Sequence, residues 1–239
     1  MPRGMYTVKN TMAARDRTHG SRCLLLACCF AGLVLAAGAD HSLLDSNRTA
    51  LVVVDVQADF LAKLPLATRN AMVDRIAWMM RVATALGMPI VATAEDYESG
   101  HNPSLLPKLA ALLPPNATVH NKMVWNAYGQ PDIRAALDAT GRSAFVVVGL
   151  ETDVCVAQTA LGLQAAGFRV AVVEDACGSA PPHHGRGIRR LRDAGVTVTD
   201  AKAAYYELTR DIPTEAAVYN KTQAMPGGTD KVCERDQTY

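Results

Sequence analysis

The fold of this chain is decided by the stretch Phe145-Val-Val-Val-Gly-Leu-Glu-Thr-Asp-Val-Cys155. Its apolar residues predict a buried β-strand, and Gly149 permits the turn that follows. Residues 154–166 then show the apolar spacing of a helix. A cysteine at this junction lies near a helix N-terminus, where the helix dipole stabilises a thiolate. The stretch therefore predicts a strand, turn and helix that carry a candidate nucleophile, Cys155.

Outward from this stretch, the chain from residue 50 alternates β-rich apolar runs with amphipathic segments. This alternation is typical of a parallel sheet with helices on both faces. The predicted strands are residues 50–56, 89–93, 118–121, 144–149, 169–174 and 196–199. The predicted helices are residues 70–86, 105–112, 133–139, 154–166, 184–194 and 201–208. We therefore predict an α/β fold, a three-layer α/β/α sandwich around a doubly wound, mostly parallel six-stranded sheet of the Rossmann-like type.

The charge balance and the length limit the class of protein. The formal net charge is +1 over 239 residues, so the chain lacks the basic excess of a nucleic-acid-binding protein, and we exclude nucleic acid as a partner. This length suits one domain, which we place at residues 40–221. Residues 222–239 contain Pro226-Gly-Gly228 and scattered charges, and we predict that they form a flexible tail.

The N-terminal segment, residues 1–39, differs in character from the rest. Its first 22 residues carry five basic side chains and one acidic one, and an apolar run follows over residues 23–39. Ala37-Gly38-Ala39 fits the small-x-small rule for signal peptidase and makes Asp40 the first mature residue. We predict a cleaved signal peptide and a secreted or otherwise exported protein. The alternative is an uncleaved anchor that holds the protein in a membrane through residues 23–39.

The cysteine count argues against a disulfide framework. Three of the six cysteines lie inside the apolar leader and are lost on cleavage. The remaining three are Cys155, Cys177 and Cys233. An odd number leaves at least one free thiol. We interpret Cys177 as a small buried hydrophobic residue.

Three chemically active side chains follow three predicted strands. Asp55 ends the first strand, Lys122 follows the third and Cys155 follows the fourth. In a doubly wound sheet, ligands bind beyond the carboxyl ends of the strands. Taken singly, a strand-end aspartate, a lysine and a cysteine each have an ordinary structural interpretation. Their placement at the same edge predicts one site.

These residue types together suit nucleophilic catalysis by a cysteine. Such catalysis needs a thiolate, a group that takes and returns protons, and donors for the oxyanion. Asp55 is the candidate general acid and base, and Lys122 is expected to lower the thiol pKa and to anchor the carboxylate. Backbone amides of the turn from Glu151 to Cys155 are the candidate oxyanion donors. A cysteine–histidine dyad of the papain type fits less well.

Four segments resemble the isochorismatase-like cysteine hydrolases, a family that includes nicotinamidases. The segments are Leu51-Val-Val-Val-Asp-Val-Gln57, Lys122-Met-Val-Trp-Asn-Ala-Tyr128, Gly149-Leu-Glu-Thr-Asp-Val-Cys-Val156 and Val172-Val-Glu-Asp-Ala176. The resemblance runs over residues 47–219. It implies a catalytic triad at the three strand-end residues, oxyanion amides from Glu151 and Cys155, and a cis peptide bond at Leu150–Glu151.

One position departs from the nicotinamidase pattern. Nicotinamidases of this family bind a divalent metal through an Asp-x-His motif after the second strand, and Tyr97 stands where the first histidine would fall. We interpret the neighbouring Glu95 and Asp96 as solvated loop side chains. The chain is therefore more similar to a non-metal branch of uncharacterised hydrolases, and we predict neither a metal nor an organic cofactor.

Three aromatic side chains are candidates for the wall of a substrate pocket. They are Phe60, Trp125 and Tyr128. Aromatic residues beside a sheet also serve simple packing, so this assignment depends on the loops that carry them.

The resemblance implies a hydrolase that cleaves a small-molecule amide or a related C–N bond through a covalent intermediate on Cys155. Three alternatives stay open: a catalytically silent binding or scaffold protein, a vinyl ether hydrolase of the isochorismatase type, and a redox-sensing thiol protein with Cys177 as the resolving cysteine. Members of the family form dimers to octamers, so we expect the chain to self-associate.

Overall fold

The structure of the protein is a computed structural model that describes residues 43–96, 104–115 and 117–226. The predicted signal segment, residues 1–39, lies outside the described residues, and so does the tail from residue 227 onward. In the part of the chain that is described, no helix combines the length and the apolar character needed to cross a membrane.

The described residues form one sheet in the order β3-β2-β1-β4-β5-β6, and every neighbouring pair of strands is parallel. The strands are β1 Thr49–Val54, β2 Ile90–Glu95, β3 Val119–Lys122, β4 Ala144–Leu150, β5 Arg169–Gly178 and β6 Thr197–Thr199. The predicted doubly wound sheet is confirmed, and it is parallel throughout instead of mostly parallel. All the carboxyl ends therefore lie at one edge of the sheet.

Helices cover both faces of the sheet and produce the predicted three layers. Their bounds are α1 Ala58–Ala62, α2 Leu66–Ala85, α3 Pro107–Ala110, α4 Pro131–Ala139, α5 Ala157–Ala165, α6 His183–Asp193, α7 Ala201–Thr209 and α8 Ile212–Thr222. The core on one face contains apolar side chains of α2, α7 and α8. The core on the other face contains those of α4, α5 and α6.

The first strand shows why its sequence is apolar without alternation. Leu51 and Val53 pack into the core beneath α2. Ala50, Val52 and Val54 pack into the core on the opposite face. Every residue of β1 is buried. A strand covered on both faces has a continuous apolar sequence, which is the pattern that predicted it.

Two of the described helices, α1 and α8, were not predicted from the sequence. α1 has five residues, too few to show a helical period. α8 follows Asp211, whose side chain accepts a hydrogen bond from the Thr214 N–H at 2.8 Å, and Pro213 lies in its first turn. An aspartate followed by a proline is a helix-start signal that the sequence contains. Thr222, predicted to begin the flexible tail, is the buried last residue of α8.

Gly149 fixes the closest approach of the two central strands. Its φ is +124°, a region that favours glycine. A Cβ atom at this position would overlap the carbonyl oxygen of Val54, its pairing partner in β1. The two backbones are thus held together where both strands end. This contact places Asp55 beside the turn that follows β4.

We expect Gly149→Ala to destabilise the protein by more than about 4 kcal/mol, because the added methyl group meets both an unfavourable φ and the backbone of β1. The measurement is the free energy of unfolding in urea. Gly141→Ala is the matched control, since Gly141 has φ +64° but no atom within 4 Å of an added Cβ. We expect the control to lose about 1–2 kcal/mol. Equal losses in the two variants would contradict a close approach at Gly149.

Candidate active site

Side chains from three strand ends meet in one buried cluster. The Lys122 Nζ atom lies 3.0 Å from Asp55 Oδ2 and 3.5 Å from Cys155 Sγ. The side chains of Asp55 and Lys122 are fully buried, and Cys155 is 4% exposed. The structure brings the three predicted residues together, and their catalytic roles stay a prediction.

The orientation of Asp55 comes from its backbone and from β2. Its φ is +49°, in the left-handed region that aspartate tolerates better than most residues. The Asp55 N–H donates to the Thr93 carbonyl at 3.0 Å, so pairing with β2 continues beyond β1. The Thr93 hydroxyl donates to Asp55 Oδ1 at 2.8 Å. One carboxylate oxygen is thereby fixed, and the other is turned toward Lys122.

Lys122 ends β3, and its ammonium group has several acceptors. Besides the ion pair with Asp55, Nζ donates to the Val124 carbonyl at 2.8 Å and to Glu95 Oε2 at 3.2 Å. Burial lowers the pKa of Lys122, but its acidic neighbours Asp55, Cys155 and Glu95 outweigh burial and hold this pKa above its ordinary value. Lys122 therefore stays an ammonium ion at neutral pH.

Cys155 lies in a π-helical turn, Thr152–Val156, which connects β4 to α5. The Val156 N–H donates to the Glu151 carbonyl at 3.1 Å, a bond that spans five residues. Turns of this kind are rare and occur frequently at functional sites. The predicted helix 154–166 thus begins as a π turn, and the thiol points into the cluster.

Glu95 belongs to the cluster, although we interpreted it from the sequence as a solvated loop side chain. That interpretation was wrong: the Glu95 side chain is 17% exposed, and its Oε2 atom accepts a hydrogen bond from the Cys155 thiol at 3.2 Å. β2 continues to Glu95 instead of ending at Thr93. The strand-end argument that selected Asp55 would have selected Glu95 once this boundary was known.

Gln57 holds the backbone of Glu95, and sequence reasoning missed it too. The Gln57 side-chain amide donates to the Glu95 carbonyl at 3.0 Å, and the Glu95 N–H donates to Gln57 Oε1 at 2.7 Å. The amide thus pairs with Glu95 as a neighbouring strand would. Asp96, the next residue, turns elsewhere and accepts a hydrogen bond from Asn121 Nδ2 at 3.2 Å.

The electrostatic environment keeps Cys155 protonated at rest. Burial raises the pKa of the Cys155 thiol, the negative charges of Asp55 and Glu95 raise it further, and Lys122 only partly opposes them. We expected from the sequence that Lys122 would hold a thiolate, but the two carboxylates outweigh it. The proton must therefore pass to a base during the reaction.

Asp55 is a carboxylate that its burial makes more basic. Burial raises its carboxyl pKa, and the opposing effects of Lys122 and Thr93 leave the pKa above its ordinary value. Acceptor atoms of Asp55, Glu95 and Cys155 all lie within 4.8 Å of one another. A proton on sulfur thus has a basic carboxylate within reach.

The second buried cysteine is not equipped for redox exchange with Cys155. Cys177 is 4% exposed, and its thiol points to the Val147 carbonyl at 3.9 Å. Burial raises the pKa of the Cys177 thiol to about 12. A resolving cysteine needs thiolate character and access. This environment fits the packing role that we predicted for Cys177.

The turn after β4 contains both predicted oxyanion donors. The peptide bond Leu150–Glu151 is cis, as the resemblance implies. The main-chain amides of Glu151 and Cys155 lie in the same short turn. Their function as oxyanion donors stays a prediction.

A model of the isochorismatase domain matches residues 49–203, which is more than half of the chain. The chain belongs to the isochorismatase family. This membership confirms the resemblance that the strand-end motifs indicated and agrees with the observed α/β/α fold.

The isochorismatase relatives include YcaC proteins. The Escherichia coli protein named Probable hydrolase YcaC is 32% identical over 136 residues, which cover 57% of this chain and 65% of YcaC, less than two thirds of that relative. Its crystal structure is described as an octameric hydrolase of unknown specificity and matches with a TM-score of 0.68 at 28% identity, covering 76% of this chain and 91% of YcaC.

Two further relatives carry informative descriptions. YcaC from Pseudomonas aeruginosa, solved with hexane-2,5-diol and covalent acrylamide, matches with a TM-score of 0.69 at 26% identity, covering 80% of this chain and 96% of that one. The Secreted isochorismatase effector Isc1 of Phytophthora sojae is 30% identical over 173 residues, which cover 69% of this chain and 79% of Isc1. Together these isochorismatase relatives support a hydrolase and leave the cleaved bond open.

The isochorismatase-family site already contains a cation. Asp55, Glu95 and Cys155 have the chemistry of metal ligands, but the Lys122 ammonium lies 3.0 Å, 3.2 Å and 3.5 Å from their respective acceptor atoms. An ion among these groups would meet that ammonium charge. The residues present therefore do not fit a metal at this position. Tyr97, at the nicotinamidase histidine position, lies outside the described residues.

The three predicted pocket residues have different surroundings. Trp125 is 60% exposed, and its carbonyl accepts a weak hydrogen bond from the Thr159 hydroxyl at 3.4 Å. The Phe60 ring lies 4.7 Å from Lys63 Nζ, which pairs with Glu151 at 3.1 Å. Phe60 is thus connected to the turn that carries Cys155, and Trp125 presents an exposed ring.

Tyr128 is turned toward α4 and the loop that precedes β5. Its hydroxyl donates to Asp138 at 3.0 Å, and its ring packs edge-on against Phe168 at 5.7 Å. These contacts are sufficient to explain the position of the Tyr128 side chain by packing. The assignment of Phe60, Trp125 and Tyr128 to a substrate pocket stays a prediction.

We expect Lys122→Met to destabilise the protein by about 3–5 kcal/mol at pH 8, because the buried carboxylate of Asp55 and the partly buried carboxylate of Glu95 lose their cation. The loss is expected to shrink as the pH falls. Burial gives the unpaired Asp55 carboxyl a pKa that is higher in the folded than in the unfolded state, so protonation at low pH favours folding. Urea unfolding at pH 8 and pH 5 measures both effects.

The control for this variant is Lys108→Met. Lys108 forms an exposed ion pair with Asp74, and we expect a change within about 0.5 kcal/mol. A Lys122→Met loss as small as that of the control, or one that grows as the pH falls, would contradict the role of Lys122 as the buried counter-charge.

Proposed function

We propose that this protein is a cysteine hydrolase that cleaves a small-molecule amide or a related C–N bond through a covalent intermediate on Cys155. The observation that carries the proposal is the buried cluster in which the ammonium ion of Lys122 lies within hydrogen-bond range of both the Cys155 thiol and the Asp55 carboxylate, whose pKa is raised. Covalent hydrolysis of an amide needs a nucleophile, a base that takes its proton and a group that orients the base.

In the first step, Asp55 takes the thiol proton as sulfur attacks the carbonyl carbon. A C–S bond forms, and the carbonyl π electrons move to oxygen. The resulting oxyanion is expected to accept hydrogen bonds from the amides of Glu151 and Cys155. Lys122 keeps its protons throughout, orients Asp55 and compensates the negative charge that passes between sulfur and carboxylate.

In the second step, the tetrahedral adduct collapses. The C–N bond breaks, and the leaving nitrogen takes the proton that Asp55 received from sulfur. Water then attacks the thioester, with Asp55 again taking a proton. The C–S bond breaks, the acid product leaves and the proton returns to sulfur. Each proton that Asp55 accepts is thus returned within the cycle.

Several observations favour this proposal over its alternatives. A catalytically silent scaffold has no need of a buried lysine with three acidic neighbours, which is costly to desolvate. A redox sensor lacks a suitable partner in Cys177, whose thiol is buried and of raised pKa. The covalent acrylamide of the P. aeruginosa relative supports a reactive nucleophile in a protein of this fold. A vinyl ether hydrolase does not need the thiol.

We expect Cys155→Ala to abolish hydrolysis of any amide that the wild type cleaves, because no nucleophile replaces the sulfur. The experiment screens primary amides, carbamates and ureides and traps the wild-type enzyme during turnover for peptide mass spectrometry. An acyl adduct on the peptide that contains Cys155 is expected. Hydrolysis that survives the substitution unchanged would rule out the covalent mechanism.

Cys177→Ala is the matched control for this experiment. It removes a second buried thiol that lies outside the cluster, so turnover and the adduct on Cys155 are expected to persist. Loss of turnover in both variants at unchanged folding would indicate that thiol removal affects the site indirectly.

We also propose that the protein is exported and self-associates. Export is supported by the signal-like residues 1–39 and by the name of the secreted P. sojae relative. Self-association is supported by the octameric YcaC relative. The exposed apolar side chains Met123, Val124 and Trp125 follow directly after Lys122, so an assembly through them would lie beside the site.

Both proposals are tested on the full chain expressed in a eukaryotic secretory host. We expect the secreted protein to begin at Asp40 and to sediment at several times the mass of one mature chain. Recovery only in membranes with the leader intact would contradict cleavage. A monomer at micromolar concentration would contradict self-association.

A further inference from the structure

Glu95 is the one acidic member of the cluster that the proposed mechanism does not use. Its side chain is 17% exposed, whereas those of Asp55 and Lys122 are fully buried. Cys155 is 4% exposed. Glu95 is therefore the member of the cluster most accessible to an incoming molecule.

The cluster carries one negative charge too many for its cation. With Cys155 protonated, the carboxylates of Asp55 and Glu95 face the single ammonium of Lys122. The nearby pair of Lys63 and Glu151, 3.1 Å apart, is neutral as a whole. A substrate that brings its own carboxylate next to the reacting carbonyl would add a like charge in a poorly solvated place.

We propose that Glu95 determines the substrate class: its carboxylate accepts an N–H of a neutral amide, carbamoyl or ureide group and excludes substrates with a carboxylate beside the reacting carbonyl. This inference rests on the proposed function, which it narrows. A carboxylate accepts hydrogen bonds and donates none, so its natural partner in a substrate is an N–H.

The same contact ties activation of the nucleophile to substrate binding. At rest the thiol donates to Glu95 Oε2 at 3.2 Å. A substrate N–H that occupies this oxygen competes with the thiol hydrogen, which then turns toward Asp55. Only a proton moves in this step, from sulfur to the Asp55 carboxylate. A molecule without an N–H leaves the thiol hydrogen on Glu95.

The backbone holds Glu95 ready for this contact. Gln57 forms two hydrogen bonds to the main chain of Glu95, at 3.0 Å and 2.7 Å. Lys122 holds one carboxylate oxygen at 3.2 Å. A side chain fixed at both ends loses little further freedom when a ligand binds, which favours selectivity.

Alkylation of Cys155 tests the inference without knowledge of the substrate. The reagents are iodoacetamide, methyl iodoacetate and iodoacetate, which are an N–H donor, a neutral molecule without N–H, and an anion. In each case the Cys155 C–S bond forms, the C–I bond breaks and iodide leaves. Peptide mass spectrometry follows the rate at Cys155 alone. Rate ratios between reagents cancel the fraction of thiolate that is present before a reagent binds, which all three share.

For wild type, the ratio of the alkylation rates of two reagents at Cys155 is divided by the same ratio measured for N-acetylcysteine. We expect the normalised preference for iodoacetamide to be about tenfold over iodoacetate, from charge repulsion, and to exceed unity over methyl iodoacetate. Lys122 acting alone would attract iodoacetate and give the opposite order. Normalised ratios at or below unity overturn the proposal, and this comparison requires no variant.

Glu95→Gln then tests whether the preference depends on the charge of the side chain, because glutamine has nearly the same shape as glutamate. We expect its normalised preference for iodoacetamide over iodoacetate to fall about tenfold, to the N-acetylcysteine value or below. Asp96→Asn is the matched control, because it removes the adjacent carboxylate, which accepts a hydrogen bond from Asn121, and it is expected to keep the wild-type ratio. An unchanged ratio in Glu95→Gln overturns the role of Glu95.

The two proposals fail in different ways. If no amide is hydrolysed but the alkylation ratios depend on Glu95 as stated, the selectivity of Glu95 stands and the hydrolase proposal fails. If amides are hydrolysed through Cys155 while the ratios ignore Glu95, the hydrolase proposal stands and the assignment of Glu95 fails.

Discussion

The site depends on the contacts that the buried ammonium group of Lys122 makes with its acidic neighbours. This ammonium group lies between acidic groups contributed by the ends of β1 and β2 and by the turn after β4. Parallel strands deliver their carboxyl ends to one edge, and acidic groups gathered there without a cation would be costly to desolvate. Lys122, at the end of β3, supplies that cation from the edge strand of the sheet. The same contact therefore stabilises the fold and assembles the chemistry.

This arrangement explains why the Cys155 side chain is a thiol at rest. A single ammonium compensates one carboxylate, and the second carboxylate then opposes ionisation of the sulfur, as does burial. A helix N-terminus alone is too weak to reverse these effects, since its contribution is about 0.3–1 kcal/mol in exposed settings. A protonated thiol is also a poor target for oxidants. Reactivity then depends on a proton acceptor, Asp55, whose own pKa burial has raised.

The sequence predicted the site as far as strand ends could be located. Asp55 and Cys155 follow long apolar runs with clear ends, and they lie where the sheet rule places them. Glu95 was missed because β2 continues two residues beyond the predicted end, where it pairs with β3 and with the Gln57 side chain, 38 residues away. Contacts of that range leave no periodic signal in a single sequence. The π turn likewise depends on which carbonyl group accepts the hydrogen bond of a main-chain N–H, in a stretch whose sequence already predicts a helix.

The position of Glu95 also bears on how one fold serves several reactions in this family. Asp55 with a raised pKa is a competent acid for an amine leaving group and equally for a vinyl ether, so the acid alone does not define the reaction. In the mechanism that we propose, the thiol adds acyl transfer, and Glu95 adds a charge that an anionic substrate would face. Gln57 lies just beyond β1, and Glu95 is the last residue of β2, so both stand at the edge where the strands end. Replacing Glu95 would therefore change the charge that a substrate meets while the buried ion pair of Asp55 and Lys122 keeps its contact.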